Sequence, residues 1–159
     1  MAELSELPLS ARLFLKGYRW RRNDPVPWVR PRPLREAKVA LVSTAGLVAP
    51  GQPPFDDGVS GGDWTYREIA SGTDPRTLIE THRSKSFDHS GLAADANLAM
   101  PLDRLHELAA AGTIGSVAPR HFSLMGSITA PGRLMSESAP AVAAALVADE
   151  VDVVLLVPV

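Results

Sequence analysis

Residues 151–159, Val-Asp-Val-Val-Leu-Leu-Val-Pro-Val, are the most apolar and β-branched stretch of the chain. The stretch is apolar at nearly every position, a pattern typical of a strand whose sheet is covered by helices on both faces. Strands of this kind belong to α/β domains, so we predict a three-layer, Rossmann-like fold with a mostly parallel sheet. Because ligands bind at the carboxyl ends of such strands, we expect a site beyond Val159 and a fold that is interrupted there.

Composition narrows the class of protein. With 159 residues, 45% of them hydrophobic, the chain can build one core. Its net charge of -2 gives no general attraction to nucleic acid or to a membrane surface, and we expect neither as a partner. No apolar run reaches the roughly 18 residues of a membrane span, and the amino terminus has no signal-peptide pattern, so we expect a cytoplasmic protein. The absence of cysteine excludes disulfides, thiolate metal sites and cysteine nucleophiles within these residues.

Residues 1–36 form a basic, Pro/Arg-rich amino-terminal arm. The arm contains eight of the 16 Lys and Arg residues of the chain, and its prolines at 25, 27, 31 and 33 exclude regular helix or central strand between residues 23 and 34. Two interpretations stay open. The arm could grip a partner subunit with Tyr18, Trp20 and Trp28 as anchors, or it could pack along its own domain.

Residues 37–159 have the pattern of an α/β domain. Apolar runs predict strands over 38–44, 63–69 and 113–118, besides the strand at 151–159. Stripes of apolar residues and capping signals predict helices over 101–112 and 138–148. The second helix is apolar nearly all round, so we expect it to be buried against the sheet.

The polar residues most capable of chemistry lie between positions 82 and 97, and near position 121. Histidine and aspartate pairs suit a metal or acid/base site, but the spacing matches no metal motif, so we predict no metal site; a hydrogen-bonded loop is the alternative. His121 follows the predicted strand 113–118 at its carboxyl end, where a site is expected; the alternative is a buried histidine that orients the backbone. The predicted pocket residues are Asp88, His89, Asp95, Asn97 and His121.

Several blocks of the sequence together resemble one family. These blocks are Gly-Asp-Trp-Thr-Tyr-Arg-Glu-Ile at 62–69, Asp-His at 88–89, Asp-Ala-Asn at 95–97, Met-Pro-Leu-Asp-Arg-Leu at 100–105, Gly-Thr-Ile-Gly-Ser-Val-Ala at 112–118 and His-Phe-Ser-Leu-Met-Gly at 121–126. Through them the chain resembles, over residues 38–159, the B-subunit family of glycine, sarcosine, betaine and D-proline reductases.

The resemblance implies an oxidoreductase of amino-acid metabolism with a disulfide acceptor. Members of this family are often selenoproteins, with a selenocysteine or cysteine just after the strand that here is 151–159 and a further cysteine close behind. The resemblance also implies reductive cleavage of a C–N bond in glycine, sarcosine, betaine or proline. The expected partners are a carbonyl-bearing substrate-binding subunit and a thioredoxin-type donor.

The redox residue itself has no counterpart in these 159 residues. We expect that a selenocysteine codon was read as a stop, that the chain has no cofactor of its own and that this fragment alone is inactive. Two other functions stay open. One is a non-catalytic binding or assembly subunit; the other is a metal-assisted hydrolase or lyase that uses the histidine and aspartate cluster.

Overall fold

A computed structural model describes residues 7–17, 25–26, 29–84 and 89–159. The chain divides into two compact units, Met1–Arg30 and Pro31–Val159. In the first unit, helix α1 spans Leu9–Gly17, and its side chains Leu13 and Phe14 are exposed. The three aromatic residues proposed as anchors of the amino-terminal arm, Tyr18, Trp20 and Trp28, lie outside the described residues.

The second unit contains short strands and helices in mixed order. Its strands are β1 (Lys38–Ser43), β2 (Leu47–Val48), β3 (Tyr66–Ala70), β4 (Ile79–Glu80), β5 (Ser116–Val117), β6 (Arg120–Leu124) and β7 (Val153–Val157). Its α-helices are α2 (His89–Ala94), α3 (Leu102–Ala110) and α4 (Ala139–Ala148). Three 3-10 helices (Leu34–Glu36, Pro75–Thr77, Ala96–Leu98) and a π-helical turn (Leu134–Ser138) complete it. No helix within the described ranges is both long and apolar enough to cross a membrane.

Strand β1 is the centre of a five-stranded sheet. Strand β7 runs parallel to β1 along one edge, from Val39↔Val153 to Ser43↔Val157. The opposite edge of β1 is shared by two parallel strands, because a strand has only two edges: β5 pairs with the start of β1 and β6 pairs with its end. Strand β3 adds an antiparallel pair to β6. The prediction of an α/β fold with a mostly parallel sheet is confirmed.

Helix α3 covers one face of this sheet. Leu102 and Leu105 are buried together with Met100, and they belong to the same core cluster as Val39 and Leu41 of β1. Sequence patterning predicts a helix from residue 101, and the helix begins one residue later, at Leu102, because proline fits the start of a helix and leucines recur at helical spacing.

A small second sheet lies beyond the carboxyl end of β1, where β2 pairs antiparallel with β4. The loop that follows β2 is anchored. Phe55 is buried with Val48 and Met125, and the Asp63 carboxylate accepts the Asp56 N–H at 2.9 Å.

The prediction for residues 113–118 is wrong in its extent. Only Ser116 and Val117 are in strand conformation, and a second strand, β6, follows at once. Strand β6 was not predicted because two of its residues, His121 and Ser123, are polar, although both are fully buried. They are tolerated in the core because each accepts a backbone N–H, from Leu41 and Leu47 respectively.

Two predictions of burial are also wrong. In α4, Val142 is buried, whereas Val147 is 75% exposed. Strand β7 lies at the edge of the sheet, and Leu156 is 68% exposed. An apolar composition indicates what a segment can bury, whereas its actual burial depends on which other elements cover it.

Candidate functional site

A pocket of about 540 Å³ lies next to the small sheet of β2 and β4. It brings together three of the five predicted residues, His89, Asp95 and Asn97, while Asp88 lies outside the described residues. The Asp95 N–H bonds to the Gly91 carbonyl in the last turn of α2, and the 3-10 helix Ala96–Leu98 follows directly. The remaining polar residues of the lining are Arg76, Glu80 and Asp103.

Glu80 and His89 form the pair in this pocket that is best suited to proton transfer. The Glu80 carboxylate bonds to Nδ1 of His89 at 2.5 Å and accepts the His82 N–H at 2.6 Å. A carboxylate at Nδ1 keeps the proton on that nitrogen and makes Nε2 the basic nitrogen of the neutral ring. The sequence analysis missed Glu80, since its spacing from His89 corresponds to no motif.

Asp95, Asn97 and Asp103 form a hydrogen-bonded network that caps two helices. Asp95 accepts the Asn97 N–H at 2.9 Å, and the Asn97 side chain both donates to the Asp103 carboxylate at 2.9 Å and accepts the Asp103 N–H at 3.1 Å. The backbone hydrogen bond from Asn97 is the main cause that lowers the pKa of Asp95, which keeps this carboxylate ionised. The network has the geometry of a hydrogen-bonded loop, and its role in substrate binding stays a prediction.

A second group of residues meets at the carboxyl ends of β1, β6 and β7. The Thr44 hydroxyl accepts the Val159 N–H at 2.9 Å, which ties the end of β1 to the end of β7. A Cβ atom on Gly126 would lie 2.9 Å from the Thr44 carbonyl and 3.1 Å from both His82 Nε2 and the Val159 carbonyl. The chain segments therefore converge at a point where glycine is the residue that fits.

Glu80 connects this convergence point to the pocket, because it holds the His82 backbone as well as the His89 ring. Burial lowers the pKa of His82; the Glu80 charge opposes this effect and His89 adds to it, so the net shift favours the neutral ring. The pocket itself contains one imidazole, His89, paired with the Glu80 carboxylate, and Glu80 links it to the backbone of His82. Such a site can donate and accept protons.

His121 lies inside the sheet, as the second residue of β6, and the prediction that it follows a strand end is wrong. It is fully buried, and its Nδ1 accepts the Leu41 N–H at 2.9 Å. Burial lowers its pKa to about 4, and the charge of His106 acts in the same direction. On this side of β1, Leu41 lies between the residues that pair with β5 and those that pair with β6, and the His121 ring accepts its N–H in place of a strand carbonyl. His121 therefore orients the backbone of β1. Its role in a pocket stays a prediction.

Across residues 7–17, 25–26, 29–84 and 89–159, no group of three or more His, Asp and Glu side chains is arranged to hold a metal ion. The polar residues of the site are instead joined directly to one another by hydrogen bonds.

Comparison with known proteins gives three relatives that are subunits of reductase complexes. The chain is 28% identical to D-proline reductase subunit gamma of Acetoanaerobium sticklandii, over 77% of this chain and 49% of that protein. It is 30% and 28% identical to glycine reductase complex component B subunit gamma of Symbiobacterium thermophilum and of Carboxydothermus hydrogenoformans. Those matches cover 72% and 89% of this chain, but 28% and 34% of the relatives.

The chain thus spans half or less of the length of these relatives. No solved structure matches it. The family model for glycine/sarcosine/betaine reductase selenoprotein B matches residues 9–159, which is nearly the whole chain. The chain belongs to the glycine/sarcosine/betaine reductase selenoprotein B family.

Proposed function

We propose that this chain is part of a selenol- or thiol-dependent reductase that cleaves a C–N bond in an amino acid or its N-methyl derivative. The substrate is of the glycine, sarcosine, betaine or D-proline type. Family membership supports the proposal, as do three relatives that are named as subunits of D-proline or glycine reductases.

The reaction transfers two electrons to the C–N bond. A selenolate or thiolate attacks the carbon, and the amine nitrogen leaves with the bonding electron pair and takes a proton. A second thiol then attacks the selenium or sulfur, the carbon takes another proton, and a selenium–sulfur or disulfide bond remains. A dithiol of the thioredoxin type reduces that bond and restores the starting state.

The share of this chain in the reaction is to hold and move protons. The observation that carries this assignment is the Glu80 carboxylate, which joins the His89 ring to the His82 backbone beside the strand ends. We assign proton transfer to Nε2 of His89, and we assign the redox residue to a position just past β7, near His82 and Thr44. Asp95 and Asn97 then shape the pocket, Asp88 belongs to its wall, and His121 supports it from within β6.

The partners are a carbonyl-bearing substrate-binding subunit and a thioredoxin-type donor, and the reaction takes place in the cytoplasm. The 159-residue polypeptide alone is inactive. The domain has a Rossmann-like arrangement, a proposal supported by the parallel pairing of β1 with β6 and β7.

The test is a turnover assay on the purified reductase complex that contains this chain. We expect dithiol-dependent release of the amine from glycine, sarcosine or betaine, or ring opening of D-proline. His89→Gln removes the proton-transfer group and lowers turnover by about 10²-fold or more. His106→Gln is the matched control, because His106 lies outside the pocket and bonds to the Ser71 carbonyl.

The expected result for this control is wild-type turnover. Failure of the complex to consume any of the four substrates with a dithiol present would refute the proposed reaction. Wild-type turnover by His89→Gln would instead refute the assignment of the site.

A further inference from the structure

Three carboxylates line the pocket next to the small sheet, those of Glu80, Asp95 and Asp103. We propose that this pocket receives a substrate nitrogen that carries N–H groups, as in glycine, sarcosine or D-proline, and that it discriminates against the quaternary nitrogen of betaine. This preference rests on the proposed function, which limits the substrate to these four types. The size of the pocket does not decide among them, because about 540 Å³ accommodates any of these small molecules.

Asp95 and Asp103 each retain an oxygen atom for a ligand. Oδ1 of Asp95 accepts both the backbone N–H of Asn97 at 2.9 Å and its side-chain amide at 3.2 Å. Oδ2 of Asp103 accepts the Asn97 side-chain amide at 2.9 Å. The second oxygen of either carboxylate accepts no hydrogen bond from the part of the chain that the structure describes. Because an ionised carboxylate only accepts hydrogen bonds, the ligand group that matches it is a donor such as N–H.

The charge of the lining favours a cationic nitrogen. Among the described residues of the lining, Arg76 is the one Lys or Arg, and Asp74 already binds its guanidinium through two hydrogen bonds of 2.9 Å. Asp95 is ionised, because the Asn97 N–H lowers its pKa. The excess of carboxylates attracts any cationic nitrogen. Charge alone does not distinguish a protonated amine from a quaternary ammonium group, whereas hydrogen bonding does.

Among the described residues, no Trp, Tyr or Phe lines this pocket. Proteins hold quaternary ammonium groups against the faces of these aromatic rings. The apolar part of the lining consists instead of leucine, alanine and proline. The nitrogen of betaine would therefore face the carboxylates without donating to them. A site that hydrogen-bonds a substrate N–H discriminates against an analogue that lacks it, because its own polar groups then lose a partner.

The pair of Glu80 and His89 favours the same class of substrate. The Glu80 carboxylate bonds to Nδ1 of His89, which leaves Nε2 as the basic nitrogen of the ring. A nitrogen with N–H groups can exchange a proton with such an imidazole, whereas a quaternary nitrogen has no proton to exchange. The acceptors and the acid/base pair of this pocket thus match one kind of nitrogen.

Isothermal titration calorimetry on the purified reductase complex tests this preference. Sarcosine and betaine are the two ligands, because they differ only in the methyl groups that the nitrogen carries. The complex is oxidised beforehand and no dithiol is added, so binding is measured without turnover. We expect the Kd of betaine to exceed that of sarcosine by about tenfold or more.

The variant Asp95→Asn tests whether this pocket is the source of the preference. The variant loses the charge, but its side-chain oxygen can still accept the Asn97 N–H, so we expect it to fold. The Kd of sarcosine should rise by about tenfold and that of betaine by about threefold or less. Asp56→Asn is the matched control, because Asp56 accepts the Gly58 N–H at 2.8 Å in the same way and lies outside the pocket lining. It should change neither Kd.

Three results would overturn the inference. Sarcosine does not bind, the wild-type complex binds betaine as tightly as sarcosine, or Asp95→Asn weakens the binding of both ligands equally. The proposed reaction fails on a separate observation, which is that the complex consumes none of the four substrates when a dithiol is present. Because binding and turnover are measured apart, the two failures are distinguishable.

Discussion

Protonation of His121 should destabilise the folded protein as the pH falls. The Nδ1 atom accepts the Leu41 N–H, so it carries no proton, and the single proton of the neutral ring is on Nε2. Protonation would place an N–H at Nδ1 directly against that donor, inside a fully buried site. Both effects favour the neutral ring in the folded state.

The magnitude follows from the pKa of His121, which is about 4 in the folded protein, whereas an unperturbed histidine has a pKa of 6.5. Because the folded-state pKa is the lower one, the unfolded chain binds the proton more readily between these two values. The contribution of His121 to stability is therefore complete above pH 6.5, falls as the pH is lowered, and is lost at about pH 4. At about 1.36 kcal/mol per pH unit, the loss amounts to about 3 kcal/mol.

Urea unfolding at several pH values, followed by tryptophan fluorescence, measures this contribution. His121→Asn is the comparison variant, because its side-chain oxygen can accept the Leu41 N–H but does not titrate. Between neutral pH and about pH 4, wild type should lose about 3 kcal/mol more than His121→Asn. His121→Leu offers no acceptor, so at neutral pH it should be about 1–3 kcal/mol less stable than His121→Asn. Equal losses in wild type and His121→Asn would refute the reasoning.

Three further substitutions test other parts of the structure. Gly126→Ala places a Cβ 2.9 Å from the Thr44 carbonyl and should lower the free energy of unfolding by about 1–3 kcal/mol in the same urea experiment. Gly132→Ala is its control, because no atom lies within 4 Å of the new Cβ, and it should change the free energy of unfolding by less than about 0.5 kcal/mol. Asn97→Ala removes the side chain that caps α3 and should cost about 1 kcal/mol by thermal unfolding, so unchanged stability would contradict the capping role. Glu80→Gln retains an acceptor for the His82 N–H but loses the charge that holds the proton on His89 Nδ1. Turnover of the reductase complex should therefore fall about tenfold, while the free energy of unfolding is nearly unchanged. Turnover equal to wild type would exclude Glu80 as a positioning residue.

Local sequence patterns predicted those strands and helices in which the apolar positions of the sequence are also the buried positions of the fold. Strand β1 is apolar along most of its length and lies in the centre of the sheet. Helix α3 buries two of the three leucines in its predicted apolar stripe, Leu102 and Leu105, whereas Leu108 is exposed; Pro101 directly precedes the helix. In these elements the residue pattern and the burial agree, because each residue's own chemistry matches its place in the fold.

The site was predicted only in part, for a physical reason. His89, Asp95 and Asn97 are close in sequence, so a short helix and a turn suffice to bring them together. Glu80 and His82 come from the preceding strand and loop, and the Gly126 contact comes from beyond β6. Proximity of this second kind depends on the pairing of β2 with β4 and on the convergence of three parallel strands, which no local spacing reveals.

The sequence by itself determined the α/β class, the main strand and helix segments and the family, because these follow from side-chain chemistry and from matching residues along the chain. Tertiary structure alone decided that His121 completes a strand edge, that Glu80 links two histidines and that β7 and α4 leave apolar surface exposed. Such properties depend on which groups face one another across the fold. Hydrogen bonding and burial are relations between distant segments, and a residue's identity does not specify its neighbour.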